Sequence, residues 1–301
     1  TYFHKIQRMR KLSALISDEL LISKEKIEIA SSICKVDLLS DLVNEFPELQ
    51  GVLGGYFAET QGFEKDVCLA LKEHYLPTGT NSKIPKKPYS IALSLSDKID
   101  SLVGFFGINL IPTSSKDPYA LRRQAIGLIK TILENNKEFK IRDLINYSSQ
   151  LYSEQNFKFD SKNIQKNLVE FFHERFKNYM KEKGIRQDII ESSTSSYKID
   201  NILKIYKKAT VLNKLILKEI GTDVIYSYKR ASSIILSEFK NAEMSGSPDP
   251  GLFKNDFENN LYKKIYEIRK DFTSVNREDD YQGLLQTLAS VKKELTEFFD
   301  N

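Results

Sequence analysis

Apolar residues recur along this chain at helical spacing. From Ile164 they fall at Leu168, Phe171, Phe172, Phe176 and Tyr179, so one face of a helix gathers them while the other stays polar. The same stripe runs through Tyr281, Leu284, Leu285, Leu288, Val291, Leu295, Phe298 and Phe299, which predicts a single amphipathic helix there. Leu261, Ile265, Ile268 and Phe272 mark a helix after Phe257; Ile199, Ile202, Leu203, Tyr206 and Ala209 mark another. Ala92, Leu95, Ile99 and Leu102 form the core face of a helix across Ile91 to Val103. No segment alternates long enough to require a strand, so the expected fold class is all-α.

Connecting loops are expected at Leu76–Ser90, Ile111–Asp117, Gly184–Tyr197 and Asn241–Asp256, where Pro, Gly, Ser or Asn interrupt the periodic runs. The Ser-rich stretch Ser192–Ser196 is the best internal boundary, which gives two domains, 1–196 and 197–301. Between Lys116 and Arg123 the sequence reads KDPYALRR. Asp117 suits a helix cap, and Pro118 suits the first helical position, where its missing N–H costs nothing. The helix so begun buries Leu121, Ala125, Leu128, Ile129, Ile132 and Leu133 and leaves Arg122, Arg123 and Lys130 on or beside its other face. Two readings of that cationic face stand side by side: a solvated surface with ordinary ion pairs, and a phosphate-binding surface.

Composition narrows the picture. Only 13 Gly and 8 Pro in 301 residues is well below the roughly 12% that the pair occupies in average proteins, in keeping with long helices. Apolar residues at 41% and charged residues at 29% describe a chain that folds in water. The longest apolar stretch, Leu102–Ile111, is far short of the ~20 residues a membrane span needs, so no membrane partner is expected. Thr1 in place of Met suggests a portion of a longer protein, with no targeting segment at its head. Two cysteines, Cys34 and Cys68, are too few for a disulfide framework and fit a reduced, cytoplasmic protein. The net charge of +4 permits RNA binding without requiring it.

Candidate chemistry is sparse. Asp97 and Asp100 lie at i, i+3 and are expected to point away from the core stripe. They could ligate a metal or exchange protons, or form a surface salt-bridged to Lys98. His4, His74 and His173 are far apart, and none belongs to an HExxH-type pair. No GxxxxGK[ST] loop, GxGxxG fingerprint or GxSxG elbow occurs.

Three stretches give the chain a family resemblance. Lys35-Val36-Asp37-Leu38 leads through Val43-Asn44-Glu45-Phe46-Pro47-Glu48-Leu49-Gln50-Gly51 to Gly54; Asp97-Lys98-Ile99-Asp100 leads through Gly104-Phe105-Phe106-Gly107 and Pro112-Thr113 to the Lys116–Arg123 run; Lys229-Arg230-Ala231-Ser232-Ser233-Ile234 is followed by Phe298-Phe299-Asp300. Together with His4–Ile16, these resemble the β subunit of the bacterial two-subunit glycyl-tRNA synthetase along essentially the whole chain. Ser96, Asn109, Ser114 and Ser233 depart from the family's usual residues.

The resemblance implies a degenerate HD-like helical domain followed by a helical anticodon-binding-type domain, cut before the family's last helices. It implies an α subunit that activates glycine with ATP and Mg, and a β subunit that binds glycine tRNA and completes the assembly. The His-Asp doublet of active HD domains reads Val36-Asp37 here, leaving Asp37, Asp97 and Asp100 as remnants of a metal site, with no catalytic residue and no cofactor expected in this chain. The candidate RNA contacts are Lys116, Arg122, Arg123, Lys130, Lys229 and Arg230. Two other readings are a metal-dependent phosphohydrolase using Asp37, His74, Asp97 and Asp100, and a structural module that docks the α subunit.

Overall fold

The computed structural model describes the whole chain except residues 80, 114, 196–200, 239–245, 274–279 and 301. Among the described residues every regular element is a helix. The expected boundary at Ser196, the loop residue Tyr197, the helix position Ile199, Ser114 and the first part of the 241–256 loop lie outside the described residues. Contacts divide the chain into two units, Thr1–Gly184 with Thr194–Ile205, and Ile185–Ser193 with Tyr206–Asn301.

The first unit contains α1 (Tyr2–Leu20), α2 (Lys24–Ile33), α3 (Asp41–Glu45), α4 (Val52–Thr60), α5 (Lys65–Glu73), α6 (Pro88–Gly107), α7 (Leu121–Glu134), α8 (Ile141–Glu154) and α9 (Ser161–Glu182). The division between units falls within α10 (Gln187–Ser195) and α11 (Ile202–Leu215), so the stretch expected as a loop from Gly184 to Tyr197 is helical over Gln187–Ser195, which takes in most of the Ser-rich run. Helix α6 is the axis of this unit. Pro88 occupies its first turn, where no donor is needed, and α1, α2, α5, α7, α8 and α9 all pack against it. Every residue from Ser90 to Asp100 is buried, as happens to a helix surrounded on all sides. Met9, Leu12 and Ile16 of α1, Leu71 of α5 and Leu128 and Ile132 of α7 complete the core, each worth roughly 1.5–3 kcal/mol of transfer free energy.

Two expectations are corrected here. Helix α7 begins at Leu121, three residues later than a Pro118 start, because Ala120 takes a left-handed conformation (φ 53°) at the end of the Asp117–Ala120 turn. Asp117 still caps: its Oδ1 accepts from the Leu121 N–H (2.8 Å) and its Oδ2 from the Arg122 N–H (3.0 Å). The carboxylates of α6 are not on a surface: Asp100 is fully buried and Asp97 nearly so.

The second unit carries α12 (Glu219–Glu238), α13 (Asp256–Thr273), α14 (Tyr281–Ala289) and α15 (Lys292–Asp300). The stripe from Tyr281 to Phe299 is thus two helices, not one. Ser290 and Val291 close α14 with bonds back to the Gln286 and Leu288 carbonyls, and each half then packs on both α12 and α13. Within these four helices the buried residues among the described ones are Gly221, Ser227, Leu261 and Leu295, while Tyr228, Leu236 and Tyr266 stand exposed.

Candidate functional site

The K-x-D stretch forms a 3-10 turn, Val36–Leu39, that faces Lys35 and Asp37 inward and turns Val36 outward, 47% exposed. The side chain that the resemblance equates with the doublet's imidazole therefore meets solvent, and Lys35 enters instead. Its Nζ lies 3.0 Å from His74 Nε2, 3.1 Å from Asp97 Oδ2 and 3.9 Å from the centre of the Tyr75 ring. His74, at the end of α5, is held by a 2.7 Å contact between Nδ1 and the Leu71 carbonyl. A carbonyl can only accept, so Nδ1 carries the proton and Nε2 accepts from Lys35. Burial, reinforced by the Lys35 charge, holds the His74 pKa well below the ordinary imidazole value, and the ring is neutral.

Asp97 and Asp100 are balanced from α1. Lys5 Nζ pairs with Asp97 Oδ1 (2.9 Å) and Asp100 Oδ2 (3.5 Å) and donates to Ser101 Oγ (2.6 Å). Arg8 grips Asp100 through Nε (2.6 Å) and Nη2 (3.1 Å), a bidentate pair, while its guanidinium stacks 3.7 Å from the Tyr152 ring. Burial alone would raise the Asp97 pKa; Lys35 and Lys5 reverse that and hold it well below the usual carboxylate range. Asp37 stands apart. Its Oδ2 accepts from the Gly51 N–H at 2.5 Å, and Oδ1 is buried with no hydrogen-bond partner among the described residues. Gly51 adopts φ 81°, which suits glycine and aims that N–H at the carboxylate.

Lys98 is not a partner of the carboxylates beside it in sequence. It is buried and donates to the Leu76 carbonyl (2.7 Å), Ser94 Oγ (2.7 Å) and the His74 carbonyl (3.4 Å), pinning the turn between α5 and α6. Burial pulls its pKa down to about 7 against the attraction of Asp97.

These donors do not fit a catalytic metal. The ammonium of Lys35 already sits where His74 Nε2 and Asp97 Oδ2 converge, and among the described residues no three His, Cys, Asp or Glu side chains gather as a ligand set. The Asp100 carboxylate is spoken for by Arg8 and Lys5, and the Tyr152 hydroxyl donates to its backbone carbonyl at 3.0 Å. The center is thus a self-neutralised polar cluster in the core of the helical unit.

Over this cluster opens a cleft of about 580 Å³, lined by Lys5, Lys35, Lys98 and Arg123 against Asp97 and Glu48. Of the cationic candidates on α7, Arg123 lines it. Arg123 is exposed, and its Nη1 donates to the Thr78 carbonyl at 3.2 Å; Arg122 donates to the Thr113 carbonyl. Neither pairs with a carboxylate side chain among the described residues. Lys116 is exposed on the preceding turn, and Lys130 is half-buried near the end of α7. In the second unit Lys229 is exposed, whereas Arg230 is committed within the chain: it pairs with Asp300, donates to the Tyr226 hydroxyl at 2.9 Å and lies 5.5 Å from the centre of the Phe299 ring. The Lys229-Arg230 and Phe298-Phe299-Asp300 stretches are thus two halves of one contact.

Sequence reasoning missed Lys5, Arg8 and the inward Lys35. A pair of carboxylates on a helix with no polar side demands cations from elsewhere, and Lys5 and Arg8 repeat the i, i+3 spacing of Asp97 and Asp100.

The profile of the family described as "Glycyl-tRNA synthetase beta subunit" matches residues 1–195. Among curated relatives, the chain is 33% identical over its full length to the glycine–tRNA ligase beta subunit of Syntrophus aciditrophicus, 35% identical over 93% of its length to that of Rickettsia typhi, and 34% identical over its full length to that of Clostridioides difficile. It spans 43%, 40% and 43% of those relatives, about two fifths of their length. The matched residues include the whole polar cluster and the cationic α7, and on that match the chain belongs to the glycyl-tRNA synthetase beta subunit family.

Proposed function

We propose that this chain is a tRNA-binding and assembly portion of the β subunit of a two-subunit glycine–tRNA ligase. In this reading it acts in the cytoplasm, and the α subunit carries out aminoacylation with ATP and Mg. The first unit is a scaffold with the HD-like arrangement, and the second is of the anticodon-binding type. The observation that carries the reading is a family match that includes α7 and its two arginines, neither of which has a carboxylate partner among the described residues, and of which Arg123 lines a cation-rich cleft. Such side chains hold RNA phosphates through charge-assisted bonds. Phosphohydrolase chemistry finds no support in the donor set, because Lys35 satisfies the His74 and Asp97 atoms that a metal would use.

The test replaces Arg122 and Arg123 together by Gln in the intact α/β enzyme and measures glycine tRNA affinity against salt. Two lost phosphate contacts should flatten the slope of log K against log salt by about 1.4 or more. Unchanged affinity and slope, with helicity and assembly intact, would remove α7 from the RNA interface.

A specific feature favours α-subunit docking as a second role. Leu39, Leu42, Phe46, Val52 and Tyr56, around the α3–α4 segment, are all exposed apolar residues close in sequence. Charged substitutions at Leu39 and Leu42 should weaken subunit assembly in analytical ultracentrifugation without moving the unfolding temperature.

A further inference from the structure

A second cavity, about 410 Å³, adjoins the cation-lined cleft. The two share Tyr2, Lys5, Ser101 and Phe105 as a common ridge. Their chemistry differs. Beyond the ridge, beside the Arg8–Asp100 pair, the wall is aromatic: Tyr152, Phe157 and Phe159 form a cluster with ring centroids 5.0–5.8 Å apart, and Phe157 remains 39% exposed. On the near side, cations outnumber carboxylates, and Arg123 brings a guanidinium with no acidic partner among the described residues.

From this juxtaposition we propose that the two cavities together hold one unpaired nucleotide of an RNA strand, its base against Phe157 and Phe159 and its phosphate on the Arg123 side. The inference rests on the RNA-binding reading above and specifies which form of RNA this site takes. An aromatic wall beside a cationic wall is complementary to a base and the phosphate attached to it. A cavity wall is reached only by a base splayed out of its stack, because a duplex offers a protein surface its backbone and the 2′-hydroxyls of its shallow groove. An open, two-part site with the exposed Arg123 on its rim fits a strand that passes through, in preference to a free nucleotide enclosed on all sides.

The experiment uses the 301-residue chain and three probes: a fluorescein-labelled single-stranded octaribonucleotide, the same sequence as a blunt duplex, and AMP as competitor. Anisotropy titrations are run across salt for the wild type, Phe157→Ala, Phe157→Leu and Arg123→Gln, each with its unfolding temperature. The single strand is expected to bind more tightly than the duplex. Loss of stacking should weaken the single strand roughly fivefold or more in both Phe157 variants with the salt slope unchanged, and Arg123→Gln should flatten the slope by about 0.7. Equal binding of duplex and single strand, competition by AMP as effective as by the unlabelled octamer, or Phe157 variants that fold and bind as wild type would each overturn the proposal. If the α/β enzyme loses tRNA on replacement of Arg122 and Arg123 while Phe157 variants bind the octamer normally, the tRNA reading stands and the nucleotide site falls. The reverse pattern keeps the base wall at Phe157 and overturns the assignment of the phosphate to Arg123.

Discussion

Lys35→Met keeps the aliphatic stem and deletes one buried ammonium. Two acceptors lose their donor. Asp97 Oδ2 gives up a charge-assisted bond of 3.1 Å, and His74 Nε2 gives up its 3.0 Å bond and is left dry in the core. An unsatisfied buried acceptor costs roughly 1–3 kcal/mol. Breaking a buried ion pair completely costs about 3–5 kcal/mol. Asp97 retains Lys5 at 2.9 Å, which keeps its share at the lower end of that range. A net loss of about 3 kcal/mol follows, or a fall in unfolding temperature of roughly 6–12 °C for a unit of this size. Lys24→Met is the control: its pair with Asp18 is more than half exposed on both sides, and the change should stay within about 0.5 kcal/mol. Urea unfolding of both variants, followed by tryptophan-free far-ultraviolet circular dichroism, gives the comparison. A second readout is specific to the cluster: the Lys35 charge helps to depress the His74 pKa, so the His74 ring signal should titrate at higher pH in Lys35→Met than in the wild type. A loss under 1 kcal/mol together with an unmoved His74 titration would show that Lys35 does not hold the cluster.

Three further outcomes follow from the same geometry. His74 is neutral when folded, with a pKa well below that of the unfolded chain, so below about pH 6.5 unfolding takes up a proton and stability falls by up to about 1.4 kcal/mol per pH unit; His74→Gln should remove that slope relative to wild type in urea titrations at pH 4.5–7. Asp97, held low by Lys35 and Lys5, stabilises above its unfolded pKa near 4, and that contribution is lost as the pH falls further, so acid unfolding should proceed in two stages and Asp97→Asn should abolish the lower one. A Cβ at Gly104 would overlap the Tyr152 hydroxyl, so Gly104→Ala should destabilise the first unit by roughly 1–3 kcal/mol in urea unfolding, and a change under 0.5 would mean that α6 and α8 part easily.

The helices were legible because their apolar stripes are long: Ile164 to Tyr179 appears as α9, and Leu261 to Phe272 lies within α13. Asp117 was legible as a cap, yet the start of α7 was not, since nothing in KDPYALRR signals that Ala120 takes a left-handed turn before the helix. The break at Ser290–Val291 is equally silent, because the apolar spacing continues unchanged across it.

The polar cluster failed to show for a different reason. Periodicity assigns every charged residue to the outside, and that rule holds only for a helix with an outside. Helix α6 has none between Ser90 and Asp100, so its carboxylates had to be met by cations that arrive more than 85 residues earlier in the chain. The sequence did carry a trace of this in two matched spacings. Lys5 and Arg8 stand three apart, as do Asp97 and Asp100, and the pairs meet in register, Lys5 on Asp97 and Arg8 on Asp100. Three residues is close to one helical turn, so both cations lie on one face of α1 and both carboxylates on one face of α6. A slide of α1 by one turn along α6 would leave one carboxylate unpaired in the core, at a cost of several kcal/mol. The charges therefore set the register of two helices whose apolar faces alone would tolerate several, and Lys35 then has one place left to go, the gap between Asp97 and His74.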